Sequence, residues 1–318
     1  MAFNKTKPVK NLNRFDFPFV ILSLFFIALA GLFFLSAKDL RGANIYISLS
    51  FSFVSIIYVL TLFIKNDNKL LGGYFPLPIS RSRPLTIFLL VLGGLSFFFF
   101  RIIFKIFSPS FNVASLSIPF TATSVGAGQT FSIAFLEQSL PIQLFITSYT
   151  ASVIETLAYS IGGVLMGAVI GITIFNLLSK EEKSNKISLS KLWFVRLFAL
   201  GFGTFAFIGS HFLNGTYEGG MYVFAGLFFL ISTISMYMLG FYVAYHIGYH
   251  FVNNIFVVIL VYGFKEVFIG SGWFGALLSV TIGLLFFYLI RNWNNVKADA
   301  STWFFETFER FVEFFGFN

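Results

Sequence analysis

The sequence predicts an all-α, polytopic helical membrane protein of about eight spanning helices, on three observations. First, hydrophobic residues make up 57% of the chain and charged residues 11%, with a mean hydropathy of +0.86. A globular domain carries about 25% charged residues because its surface must be solvated, so most of this surface must face something other than water. Second, the 49 Phe residues interleave with Leu and Ile in runs of helix length. Third, Lys and Arg cluster in alternate inter-span segments, as cytoplasmic loops do.

A spanning helix needs about 20 mostly apolar residues. With that ruler, spans are expected near 17–36, 45–64 and 85–107, in a long apolar stretch at 141–178, and near 192–213, 221–240, 243–264 and 273–290. The expected organisation is an N-terminal three-span segment (1–107), an outer loop (108–140), a five-span block (141–290) with its core at 141–264, and a cytoplasmic tail (291–318). The loop contains Pro109, Pro119, Gly126 and Gly128 with only Glu137 charged, and is expected to be partly re-entrant and to cap the block. At about 1.5 Å per residue, 141–178 is nearly twice a bilayer's thickness as one straight helix. It is therefore expected to start with an interfacial piece or to break at Gly162-Gly163.

Placing the N-terminus inside leaves 15 Lys and Arg residues in inner segments against Lys38, Arg41 and Lys265 outside. That asymmetry predicts both termini inside. Arg101, Lys105 and Arg196 fall near span ends, where long basic side chains reach back to the headgroups. Basic Met1–Arg14 runs into a stretch long enough to span, without the small-residue cleavage site of a signal peptide. Ala298–Phe317 mixes Trp and Phe with Glu306, Glu309, Arg310 and Glu313 at helical spacing. It is expected to be an amphipathic helix lying on the inner membrane surface, with packing on another subunit as the alternative. The net charge of +8 belongs to this inner face and not to nucleic-acid binding. No cysteine is present, which excludes disulfides and thiolate metal sites.

Ionisable groups inside spans are costly to bury and mark function. Glu155 is the one carboxylate well inside an apolar run, and the three histidines, His211, His246 and His250, all lie in the same five-span block. His250 and Asn254 stand four apart and share a helix face, which His246 extends by one turn. A carboxylate and two imidazoles gathered from three helices can perform general-base chemistry on water, with an imidazole and an amide stabilising the oxyanion. Nominal boundaries place His211 near the outer end of its span and His250 nearer the inner end. The groups are therefore expected to meet only if spans are shifted, tilted or short.

The order of these motifs resembles the CAAX-prenyl-protease-like (ABI/CPBP) family of intramembrane endopeptidases, which carries EExxxR, then FxxxH, then HxxxN or HxxxD. Here the first is Glu155-Thr156-Leu157-Ala158-Tyr159-Ser160, the second Phe207 to His211, and the third His250 to Asn254. Thr156 stands for the second Glu and Ser160 for the Arg. The resemblance covers roughly 141–264. It implies that Glu155 and His211 activate water, that His250 and Asn254 form the oxyanion site, and that Tyr159 and Phe207 support them, with His246 as a further supporting candidate. It also implies metal-free chemistry on a peptide or protein substrate, of which a prenylated, lipid-modified protein is the family's best-known type. Membrane lipids are the other expected partners, and the cell membrane the expected location.

Three other readings stay open at the level of sequence. His211, His246, His250 and Glu155 can supply four ligands for zinc. Gly162-Gly163 and Gly219-Gly220 can interrupt helices of a proton-coupled transporter or channel, or simply allow close helix packing. No internal repeat is evident, which counts against an inverted-repeat transporter. The chain can also be a non-catalytic family member that scaffolds another membrane protein.

Overall fold

In the computed structural model the described residues are 40–107, 138–178, 189–213 and 221–315, with scattered positions between 21 and 35. Most of the expected first span and outer-loop residues 108–137 lie outside them. The described residues form α1 (Leu40–Ile64), α2 (Arg83–Phe107), α3 (Leu140–Leu178), α4 (Leu189–Leu213), α5 (Met221–Met238), α6 (Tyr242–Tyr262), α7 (Trp273–Arg291) and α8 (Trp293–Phe315). The class is all-α. Among the described residues, four segments, Ile47–Ile64, Leu140–Leu178, Lys191–His211 and Trp273–Arg291, are long and apolar enough to cross a membrane. Arg83–Phe99 and Gly226–Met238 are shorter apolar helices.

Helix α3 corrects one expectation: it does not break at Gly162-Gly163. It runs for 39 residues and includes π-helical stretches at Ile146–Thr150 and Thr156–Gly163. The glycines serve close packing instead. A Cβ on Gly162 would lie 2.9 Å from both the Phe51 Cβ and the Ser55 hydroxyl of α1. A Cβ on Gly163 would lie 3.2 Å from Gly203 Cα, and one on Gly167 2.9 Å from Ala199 Cα, both on α4. Small residues four apart let backbones approach where lipid supplies no hydrophobic drive between helices. The contact between α2 and α6 uses the same device: a Cβ on Gly93 would overlap the Tyr245 carbonyl, and one on Gly248 the Leu90 carbonyl.

Between α1 and α2 the chain forms an unforeseen two-stranded hairpin, β1 (Lys69–Leu70) antiparallel to β2 (Phe75–Pro76). Its Leu70, Leu71 and Phe75 are fully buried, so the hairpin plugs one end of the helix cluster. The Leu71 N–H donates to the Tyr58 hydroxyl (3.2 Å), and the Phe75 ring meets Tyr237 edge-on at 5.0 Å. Arg196, expected to reach for headgroups, donates through Nε to the Tyr74 carbonyl at 2.8 Å. A guanidinium in an apolar setting requires such an acceptor.

Helix α8 is amphipathic, and one face packs on the chain's own body. Val296 and Trp303 are buried, and the Trp303 indole N–H donates to the Gly240 carbonyl at 2.7 Å. The Trp303 ring meets Phe241 at 5.1 Å, and the Ser82 hydroxyl donates to Asp299. Trp293, Phe304, Phe305 and Phe308 remain exposed on the rest of the helix.

Candidate active site

The register of two helices solves the depth problem. Glu155 stands 23 residues before the end of α3 at Leu178, and His211 stands 22 residues after the start of α4 at Leu189. Because these helices pack against each other along their length, the two residues reach the same level. The third helix, α6, lies along the Ala151–Glu155 turn and the π-helical stretches that flank it.

Three sequence-predicted residues are thereby brought together. Glu155 Oε2 lies 3.3 Å from His250 Nε2 and 3.8 Å from His211 Nε2. Glu155 keeps 31% of its side chain accessible, His250 21% and His211 11%. The carboxylate is thus the most accessible of the three groups.

Hydrogen bonds fix which ring nitrogen carries the proton. His211 Nδ1 lies 2.8 Å from the Phe207 carbonyl. A carbonyl only accepts, so Nδ1 carries a proton, and in its neutral form His211 turns an unprotonated Nε2 toward Glu155. His250 has the opposite tautomer: Nε2–H donates to the carboxylate, and Nδ1 lies 3.4 Å from the Thr156 hydroxyl. Thr156, at the position of the second Glu in the family pattern, thus meets the back of the His250 ring. Ser160, at the position of the Arg, is buried, and its carbonyl accepts the Tyr237 hydroxyl at 2.9 Å.

Aromatic rings hold His211 in place. Phe207, one turn earlier, holds its ring tilted 49° against the imidazole at 4.2 Å, stacks on Phe229 at 4.4 Å, and meets Tyr159 edge-on at 5.8 Å. The FxxxH spacing therefore supplies both a carbonyl acceptor and a packing surface. Ser210 is a further neighbour, its hydroxyl 3.3 Å from His211 Nδ1.

Asn254 does not turn its amide toward Glu155. Its Nδ2 donates to the Thr147 carbonyl (2.8 Å) and to the Ser152 hydroxyl (3.3 Å), so both amide hydrogens have acceptors on α3. Those acceptors lie within the α-to-π transitions just upstream of Glu155. His246 is buried with its Nε2 unpartnered. Among the described residues, no group of three or more His, Cys, Asp or Glu side chains is placed to hold a metal ion.

Two residues that the sequence did not single out reach from α1 to α3 on either side of the start of its second π-helical stretch. The Ser48 and Tyr159 hydroxyls are 2.6 Å apart, and the Ser52 hydroxyl donates to the Ile154 carbonyl at 2.9 Å. No protein-family model matches the sequence, and neither a curated protein nor a solved structure is detectably similar to it.

Proposed function

We propose that this chain is an intramembrane endopeptidase resembling CAAX-type proteases, in which Glu155 activates water without a metal. The observation that carries the proposal is the approach of Glu155 to His211 and His250 from three separate helices. The Glu155 carboxylate and the His211 Nε2 are both acceptors, 3.8 Å apart, and a water molecule can donate one hydrogen to each. As its oxygen attacks a peptide carbonyl, one proton passes to Glu155. The tetrahedral oxyanion is met by the His250 N–H, which is released as Glu155 loses its charge. Glu155 then delivers the proton to the departing amine, leaving a carboxylic acid and an amine. Asn254 acts one step removed, by tying α6 to α3. The peptide bond as target rests on the order of the three motifs.

We further propose eight spans with both termini inside a cell membrane, from the Lys and Arg asymmetry. The exposed aromatic face of α8 would then rest on the inner leaflet.

The test is hydrolysis by the purified protein in lipid vesicles, using internally quenched membrane-spanning peptides with and without a prenylated cysteine. The expected result is cleavage with solvent oxygen-18 entering the new carboxyl group, and its loss in His211→Ala and His250→Ala. Cleavage that is equal in wild type and both variants, or no cleavage of either peptide class, contradicts the proposal. Proton flux across the same vesicles that depends on Glu155 would point instead to transport.

A further inference from the structure

Helix α1 lies outside the region that carries the family motifs, yet it touches α3 on both sides of the catalytic carboxylate. Ser48, Ser52 and Ser55 recur at helical spacing on one face of α1 and are all buried. That face meets the point where α3 changes from α to π pitch, between Glu155 and Thr156. The Ser52 hydroxyl lies 2.8 Å from its own helix's Ser48 carbonyl and 2.9 Å from the Ile154 carbonyl, the peptide preceding Glu155. The Ser48 hydroxyl bonds Tyr159, one turn after Glu155, at 2.6 Å. Tyr159 in turn meets Phe207, whose ring lies 4.2 Å from that of His211. Farther along, Gly162 lets the α1 backbone close against the π-helical stretch.

We propose that α1 belongs to the catalytic unit and that Ser52 and Ser48 are positioning residues. Ser52 holds the pitch change from which the Glu155 side chain emerges, and Ser48 holds Tyr159 and, through Phe207, the His211 ring. The physical reason is that a π-helical turn is a local departure that recurs at functional sites and needs outside support. A hydroxyl on a packed neighbour provides that support in an apolar setting, where a carbonyl finds few other donors.

The activity arm rests on the peptidase proposal, and a second readout does not. The chain has three histidines, so selective 13C,15N-histidine labelling of the full-length protein in nanodiscs yields three imidazole signals. Ser52→Ala is expected to shift the His250 and His211 signals while leaving His246 in place, and Ser52→Thr, which keeps the hydroxyl, to restore them. In the hydrolysis assay Ser52→Ala is expected to lower kcat about 10- to 100-fold with little change in KM, the loss typical of a slightly misplaced catalytic group. Tyr159→Phe provides the same test through Ser48 if Ser52→Ala fails to fold. Ser50→Ala, off that face of α1, is expected to match wild type. Unshifted His211 and His250 signals in both Ser52→Ala and Tyr159→Phe overturn the inference. If the signals shift as expected while Glu155→Gln hydrolyses peptides normally, the positioning role stands and the peptidase proposal falls.

Discussion

Glu155 sits among Leu, Ile and Val, where an ionisable side chain costs about 2.5–3.5 kcal/mol at the centre of a spanning helix. The His250 N–H, 3.3 Å from the carboxylate, offsets part of that burial. The roles of its neighbours separate cleanly by kinetics. If Asn254 ties helices together, Asn254→Ala should lower thermal stability by about 1–3 kcal/mol, because it removes the side-chain donor to the Thr147 carbonyl and Ser152. An oxyanion donor would instead lose about 10²–10³ in kcat with the fold unchanged. Thermal melts beside kcat for this one variant decide between the two. Thr156→Val should lower kcat modestly by freeing the His250 ring, whereas Thr156→Ser should not. Glu155, His211 and His250 were legible in the sequence because ionisable residues are so rare in its apolar runs. Ser48 and Ser52 were not: serine is common in apolar helices, and their partners lie 111 and 102 residues away.

The elements owe their arrangement to glycine as much as to phenylalanine. Gly93→Ala or Gly248→Ala should destabilise the α2–α6 pair strongly, since the added methyl meets backbone that cannot turn aside. Overpacking usually costs about 1–3 kcal/mol, and a backbone clash lies at the upper end or beyond. Gly201→Ala and Gly283→Ala, with nothing within 4 Å of the new Cβ, should melt like wild type. Detergent-solubilised melting curves of the four variants check both statements. The Gly162-Gly163 pair shows why sequence leaves such positions ambiguous. A glycine that ends a helix and one that admits a neighbouring helix look alike until the neighbour is known. The long apolar run at 141–178 did mark α3, but neither its π-helical stretches nor its register against α4 has a compositional signature.

For the whole molecule, composition was enough to predict a helical membrane protein, because 57% hydrophobic residues cannot be hidden inside one soluble core. The hairpin at Lys69–Pro76 was not legible, since strands of two residues are too short to show an alternating pattern. The tail's amphipathic pattern was legible, but its docking through Trp303 was not. Trp303→Ala should loosen α8 from the Gly240 turn, read as increased protease sensitivity of residues 293–315 without a change in the melting of the body. Orientation is directly measurable because the chain has no native cysteine. Single cysteines replacing Asp67 and Lys297 should react with an impermeant maleimide from the cytoplasmic side only, and one replacing Lys265 from the opposite side only. Labelling of Asp67→Cys and Lys265→Cys from the same side would refute the proposed topology.

The proposed hydrolytic centre is tested most directly by Glu155→Gln, which keeps the shape of the side chain but removes its negative charge and its ability to take a proton. In vesicles containing folded protein at equal amounts, peptide hydrolysis by this variant is expected to fall by about 10²–10⁴-fold, with substrate binding retained. Hydrolysis at the wild-type rate would show that the carboxylate between His211 and His250 is not the base, and the catalytic assignment would fail.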